Sequence, residues 1–200
     1  MPPISQAKTL GGVGSVLTLF AVVPNVGGVL GILGFVMILI AVKCIADALN
    51  EKKIFTNMMI AVLLSVVGLA IGSLVIVGTV LNAFQNGYFS SAYPFTPSSA
   101  VTMGQWTTFG IAIALGLFGT WLFFTGSAVF LRKSYKTIGA RLGVRTFVTA
   151  GLLYLLGAGT IVIGIGFLVL LAAQILTAVA FFCIPENREF QTALAVLPAN

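Results

Sequence analysis

Residues 54–131 read IFTNMMIAVLLSVVGLAIGSLVIVGTVLNAFQNGYFSSAYPFTPSSAVTMGQWTTFGIAIALGLFGTWLFFTGSAVFL and contain no Lys, Arg, Asp or Glu. Two apolar segments, 54–81 and 103–131, enclose a polar but uncharged connector, 82–102. Each segment exceeds the roughly 20 residues that an α-helix needs to cross a bilayer. Glu51, Lys52 and Lys53 flank one outer end, and Arg132 and Lys133 the other. The pattern describes a hairpin of two membrane-crossing helices whose charged ends share one face.

The composition of the whole chain agrees. Of its 200 residues 59% are hydrophobic and 7% charged, and the mean hydropathy is +1.14. Soluble domains carry about 25% charged residues, so lipid must serve as solvent for most of this surface. Transmembrane β-barrels alternate over segments of about ten residues, whereas these runs are longer and apolar on all sides. The expectation is an all-α, polytopic bundle forming a single transmembrane domain, 1-200, because no polar stretch is long enough to hold a second one.

The two ends of the chain are too long for one simple crossing each. The apolar run 9–42 would measure about 51 Å as a continuous helix, and 146–184 about 58 Å, against a hydrocarbon core of about 30 Å. Val23-Pro24-Asn25-Val26-Gly27-Gly28 is a strong turn signal, since Pro removes a donor and Asn and Gly tolerate left-handed geometry. The alternative there is one long, tilted, Pro-kinked helix. In the second run the softest point is Gly157-Ala158-Gly159-Thr160. Helical hairpins over 9–46 and 144–184 give six spans, the favoured count, with four or five as alternatives. Ser5 is placed as the first helix N-cap, and the tail 185–200 at the interface. A slide that superposes Leu10-Gly11 on Leu142-Gly143 also superposes Gly27 on Gly159 and Gly34-Phe35 on Gly166-Phe167, a weak internal echo that points to duplication.

Charge sets orientation. The net charge is +6, yet the basic residues lie beside apolar spans, where they contact anionic lipid rather than nucleic acid. Segments 43–53 and 132–145 hold eight of the ten basic residues. Cationic loops stay inside, so both are assigned to the cytoplasm and the connector 82–102 to the exterior. Arg132, Lys133, Lys136, Arg141 and Arg145 are the candidates for lipid-headgroup contact. Lys43 and Asp47 stand four apart and can pair on one helix face. Asp47 is the one carboxylate near enough to an apolar span to be an ion-site candidate. Tyr88, Phe89, Tyr93, Phe95 and Trp106 suit the headgroup zone.

Chemistry is sparse. Histidine is absent, which removes the commonest metal ligand and the neutral-pH proton shuttle. Cys44 and Cys183 have no metal spacing and read as small hydrophobes. With Asp47, Glu51, Glu186 and Glu189 as the four carboxylates, no nucleophile–base pair can be assembled. Gly11-Gly12-Val13-Gly14-Ser15 lacks the strand and the lysine of a phosphate loop. No cofactor, metal or catalytic site is expected, and an enzyme is not. Small residues recur at four-residue spacing instead: Gly27 with Gly31, Gly68 with Gly72, and Ala112 with Gly116. Such spacing lets helix backbones approach closely. Ser65, Ser73, Thr125, Ser127 and Gln174 are uncharged polar residues within spans, able to bond across helices or to line a pore.

Ser5-Gln6-Ala7-Lys8-Thr9-Leu10-Gly11-Gly12-Val13-Gly14-Ser15, Val42-Lys43-Cys44-Ile45-Ala46-Asp47 and Ile54-Phe55-Thr56-Asn57 together resemble an archaeal family of small integral membrane proteins of unknown function. The resemblance implies an archaeal plasma membrane and supplies no site. The function expected from the residues is non-enzymatic: a scaffold, assembly factor or accessory subunit that acts by helix packing, with membrane lipids, further copies or a larger membrane complex as partners. The alternative is a small-solute or ion channel or carrier with broken helices near Gly27 and Gly159.

Overall fold

The computed structural model describes residues 4–89 and 101–185, and regular structure among them is helical. Six α-helices follow in order: α1 (Ile4–Leu19), α2 (Gly27–Ala48), α3 (Lys52–Gln85), α4 (Met103–Leu142), α5 (Arg145–Thr160) and α6 (Gly166–Phe182). Short 3-10 turns, Phe20–Val22 and Ile161–Ile163, follow α1 and α5. By length and composition α2, α3, α4 and the segment Arg145–Ile163 can each cross a membrane, and α6 is a shorter apolar helix. The protein is a polytopic helical membrane bundle.

Both end segments are hairpins, so neither runs as one long kinked helix. Pro24 disfavours the helical region for the residue before it, and Val23 is extended at φ −71°, ψ 124°. Asn25 takes the left-handed region, φ 67°, and the Gly27 amide then bonds the Val23 carbonyl at 2.8 Å. The second break lies later than Gly157–Thr160, where sequence placed it. Those residues complete α5, and the chain reverses at Gly164, φ 85°. Gly157 is needed for another reason: a side chain there would meet Leu170 at 2.8 Å across the hairpin. Leu19 and Gly27 thus correspond to Thr160 and Gly166 as helix ends. The echo that pairs Gly27 with Gly159 is out of register with the helices.

Charged segments expected as loops are largely helical. The basic stretch 132–145 continues α4 to Leu142 and turns at Gly143, φ 70°; it holds no Pro, and the single Gly139 before that turn is tolerated inside a helix. Helix α2 runs through Lys43 and Asp47 to Ala48. It ends when Asn50 turns left-handed, φ 52°, and the Glu51 amide returns to the Ala46 carbonyl at 2.9 Å, a Schellman cap. The connector likewise starts after Gln85 rather than at 82. Ser5 falls inside the first turn of α1 instead of capping it. Residues 90–100 of the connector and the tail beyond Pro185 lie outside the described residues.

Contacts gather into two units, Met1–Val62 with Thr125–Asn200, and Leu63–Phe124. In the first, α1 packs against both α2 and α6, and α5 against α6. Its core includes Ile38, Val42, Ile45, Ile54, Ile138, Phe147 and Phe181. Phe147 lies edge-on to Tyr135 at 5.7 Å and to Phe181 at 5.1 Å between ring centroids, an arrangement that aromatic quadrupoles favour. In the second unit α3 and α4 run antiparallel: side chains built on Gly68 and Gly72 would strike Phe123 and Thr120, and one on Gly116 would stand 3.1 Å from Val75.

Candidate functional site

Gln174 sits in the middle of α6, within GFLVLLAAQILTAVAFF. An amide in such surroundings must find partners, because hydrocarbon offers none. Its Nε2 donates to the Ser15 carbonyl at 3.2 Å and to Thr18 Oγ1, and its Oε1 accepts from the Tyr154 hydroxyl. Thr18 Oγ1 in turn donates to the Ser15 carbonyl at 2.8 Å. One side chain therefore ties α6 to α1 and α5.

The polar seam continues one turn along α6. Thr177 is fully buried and donates to the Ala173 carbonyl at 2.8 Å. Its hydroxyl also faces those of Tyr135 on α4 and Tyr154 on α5, whose rings lie 6.1 Å apart. Every member is neutral. Ser15 Oγ is enclosed beside this seam and has no hydrogen-bond partner among the described residues. The arrangement can fix helix positions through directional bonds; it contains no acid–base pair to move a proton and no carboxylate to hold a cation. No group of three or more His, Cys, Asp and Glu among the described residues could hold a metal ion.

A second set of contacts closes the charged end of the same unit. Ser134, buried on α4, donates to the Ile54 carbonyl of α3 at 2.9 Å. Arg141 forms an ion pair with Glu51 in the α2–α3 turn. The five basic headgroup candidates thus divide. Arg132, Lys133, Lys136 and Arg145 are exposed, with Lys133 Nζ 5.1 Å from the Phe130 ring centroid, whereas Arg141 is engaged with Glu51. Asp47 is exposed on the last turn of α2; among the described residues no ion pair joins it to Lys43, and no enclosed site surrounds it.

The glycines fall into different settings. Gly27 backs onto the main chain of Phe20 and Ala21, and Gly31 onto the Ala21 side chain. The glycine-rich run of α1 is helix interior, Gly11 and Gly12 facing Phe181 and Phe182 of α6 and Gly14 facing α2. Gly159 has open space where a side chain would stand, and the breaks expose Val26 and Ile163 as hairpin tips. Ala112 lines a cavity with Leu74 and Tyr88. Sequence reasoning singled out Gln174 but missed its partners. Ser15, Thr18, Tyr154 and Thr177 each look unremarkable alone, and only the hairpin register brings them to one level.

The family model described as protein of unknown function (DUF996) matches residues 30–175. An uncharacterized protein of Methanocaldococcus jannaschii is 30% identical over 184 residues, covering 92% of this chain and 94% of that one. No solved structure matches. With the match running from α2 into α6, across the whole of α3, α4 and α5 and as far as Gln174, the chain belongs to the DUF996 family.

Proposed function

We propose that this protein acts by helix packing, as a scaffold, assembly factor or accessory subunit of a complex in the plasma membrane, with segments 43–53 and 132–145 on the cytoplasmic side. The observation that supports this reading is the Gln174 seam, whose neutral groups are spent on joining helices. A second support is the apolar surface of unit two, where Leu63, Val66, Leu69 and Leu74 on α3 and Leu115 and Phe118 on α4 are exposed. The exposed cations Arg132, Lys133 and Lys136 suit the anionic headgroups of the inner leaflet. A channel or carrier is the rival reading, and a flux assay in proteoliposomes distinguishes it.

The test is cross-linking in native membranes followed by mass spectrometry of the solubilised complex. Reproducible cross-links from α3 or α4 to a second copy or another membrane protein are expected. A protein that is strictly monomeric in the membrane, or that carries solute flux alone in proteoliposomes, contradicts the proposal.

A further inference from the structure

Unit two contains a cavity of about 430 Å³ at the connector end of α3 and α4, lined among others by Val75, Thr79, Asn82, Tyr88, Thr108 and Phe109. Local structure builds it. Helix α3 stops at a second Schellman cap: Gly87 is left-handed, φ 67°, and the Tyr88 amide bonds the Ala83 carbonyl at 3.0 Å, folding the Tyr88 ring back over the helix end. Helix α4 starts with the Gln105 side chain accepting from the Thr102 amide at 2.9 Å, one half of a capping box. Those two caps bring Tyr88 and Trp106 edge to face at 5.6 Å, with Phe109 5.9 Å from Trp106 and 6.1 Å from Tyr88.

The polar groups of this cavity are of a particular kind. Asn82 Oδ1 accepts from Asn86 at 3.0 Å, while Asn82 Nδ2 donates to nothing among the described residues. The Tyr88 hydroxyl has no hydrogen bond among them either. Thr79 and Thr108 direct their protons to Val75 and Gly104 carbonyls at 2.8 and 3.0 Å, which leaves both oxygens free to accept. The lining therefore offers donors on Asn82 and Tyr88 and acceptors on Thr79 and Thr108 beside apolar and aromatic side chains. A hydroxyl both donates and accepts, so a group bearing several hydroxyls matches this set. A phosphate or carboxylate does not, since no cation occurs anywhere in 54–131.

We propose that this cavity binds the uncharged, hydroxyl-bearing head of an amphiphile, a glycosyl or polyol lipid, with its chain lying along Leu74 and Val75. The aromatic rings offer faces and edges to the apolar surface of a sugar, and Asn82 Nδ2 and the Tyr88 hydroxyl meet its oxygens. The rings place the site at the depth where headgroups lie.

The test uses the full chain carrying Trp121→Phe, so that Trp106 reports alone, in phosphatidylcholine nanodiscs. Monogalactosyl diacylglycerol titrated into the discs is expected to shift the Trp106 emission saturably, and Asn82→Leu to weaken the apparent affinity about tenfold, the scale of one or two lost hydrogen bonds. Thr108→Val provides the same test should Asn82→Leu fail to fold. Free methyl β-galactoside should give no response at matched headgroup concentration. An equal response to phosphatidylglycerol, an equal response to the free galactoside, no saturable shift, or a shift indifferent to both substitutions would overturn the proposal.

Discussion

Gly14 and Gly34 meet backbone to backbone across the first hairpin: a side-chain carbon built on Gly14 would stand 2.7 Å from the Gly34 carbonyl oxygen. No flexible side chain can move aside to make room, so the two helix axes would have to separate. Lipid supplies no hydrophobic drive to hold them together, and close packing must do so. Gly14→Leu is expected to destabilise the protein by about 1–3 kcal/mol, the range for overpacking. Gly159→Leu, with open space around it, is expected to change little. Thermal unfolding in mild detergent compares the two.

Gln174→Leu removes both the donor to α1 and the acceptor for Tyr154. Bonds of this type between membrane helices contribute about 0.6 kcal/mol on average and up to about 1.7. A loss of about 1–2 kcal/mol is expected, with Tyr154→Phe losing less because the bonds to α1 survive. A double-mutant cycle checks the coupling, which should be non-zero for this contacting pair.

Ser15 offers the opposite sign. Its hydroxyl is enclosed without a partner among the described residues, and such a group carries a desolvation penalty of about 1–3 kcal/mol. Ser15→Ala is expected to raise the unfolding midpoint, while the seam persists because Gln174 uses the Ser15 carbonyl and not its side chain. A lowered midpoint would show that the hydroxyl is engaged.

The exposed cations should act on lipid rather than on the fold. Neutralising Arg132, Lys133 and Lys136 to Gln together is expected to cut retention of anionic lipid, at about 1 kcal/mol per charge near the surface, with no shift in unfolding. Arg141→Gln should instead cost about 0–1 kcal/mol of stability, the usual worth of an exposed ion pair, and that cost should vanish in high salt. Native mass spectrometry of bound lipid and unfolding at two salt concentrations separate these effects.

The spans were legible in the sequence because length and apolarity alone identify a helix in lipid, and 54–81 and 103–131 lie within α3 and α4. The first hairpin was legible for a local reason, the Pro24-Asn25 pair. The second lies a few residues beyond the point the sequence suggests, because Gly157 and Gly164 look alike in sequence. One is small to let Leu170 approach, and the other is left-handed to turn the chain. The charge of the basic segment marks the membrane boundary and predicts a loop, but charge does not end a helix and α4 continues to Leu142. The seam was the least visible part. Its partners come from α1, α4, α5 and α6, and no pattern along the chain records which helix faces meet.

Sidedness of the hairpin tips bears most directly on the account. In a variant with Cys44 and Cys183 replaced by Ser, single cysteines at Val26, Ile163, Lys52 and Ala140 would be labelled with a membrane-impermeant thiol reagent in intact cells. Labelling is expected at Val26 and Ile163 from outside, and at Lys52 and Ala140 only after permeabilisation. Reaction of Val26 and Lys52 from the same side would contradict it.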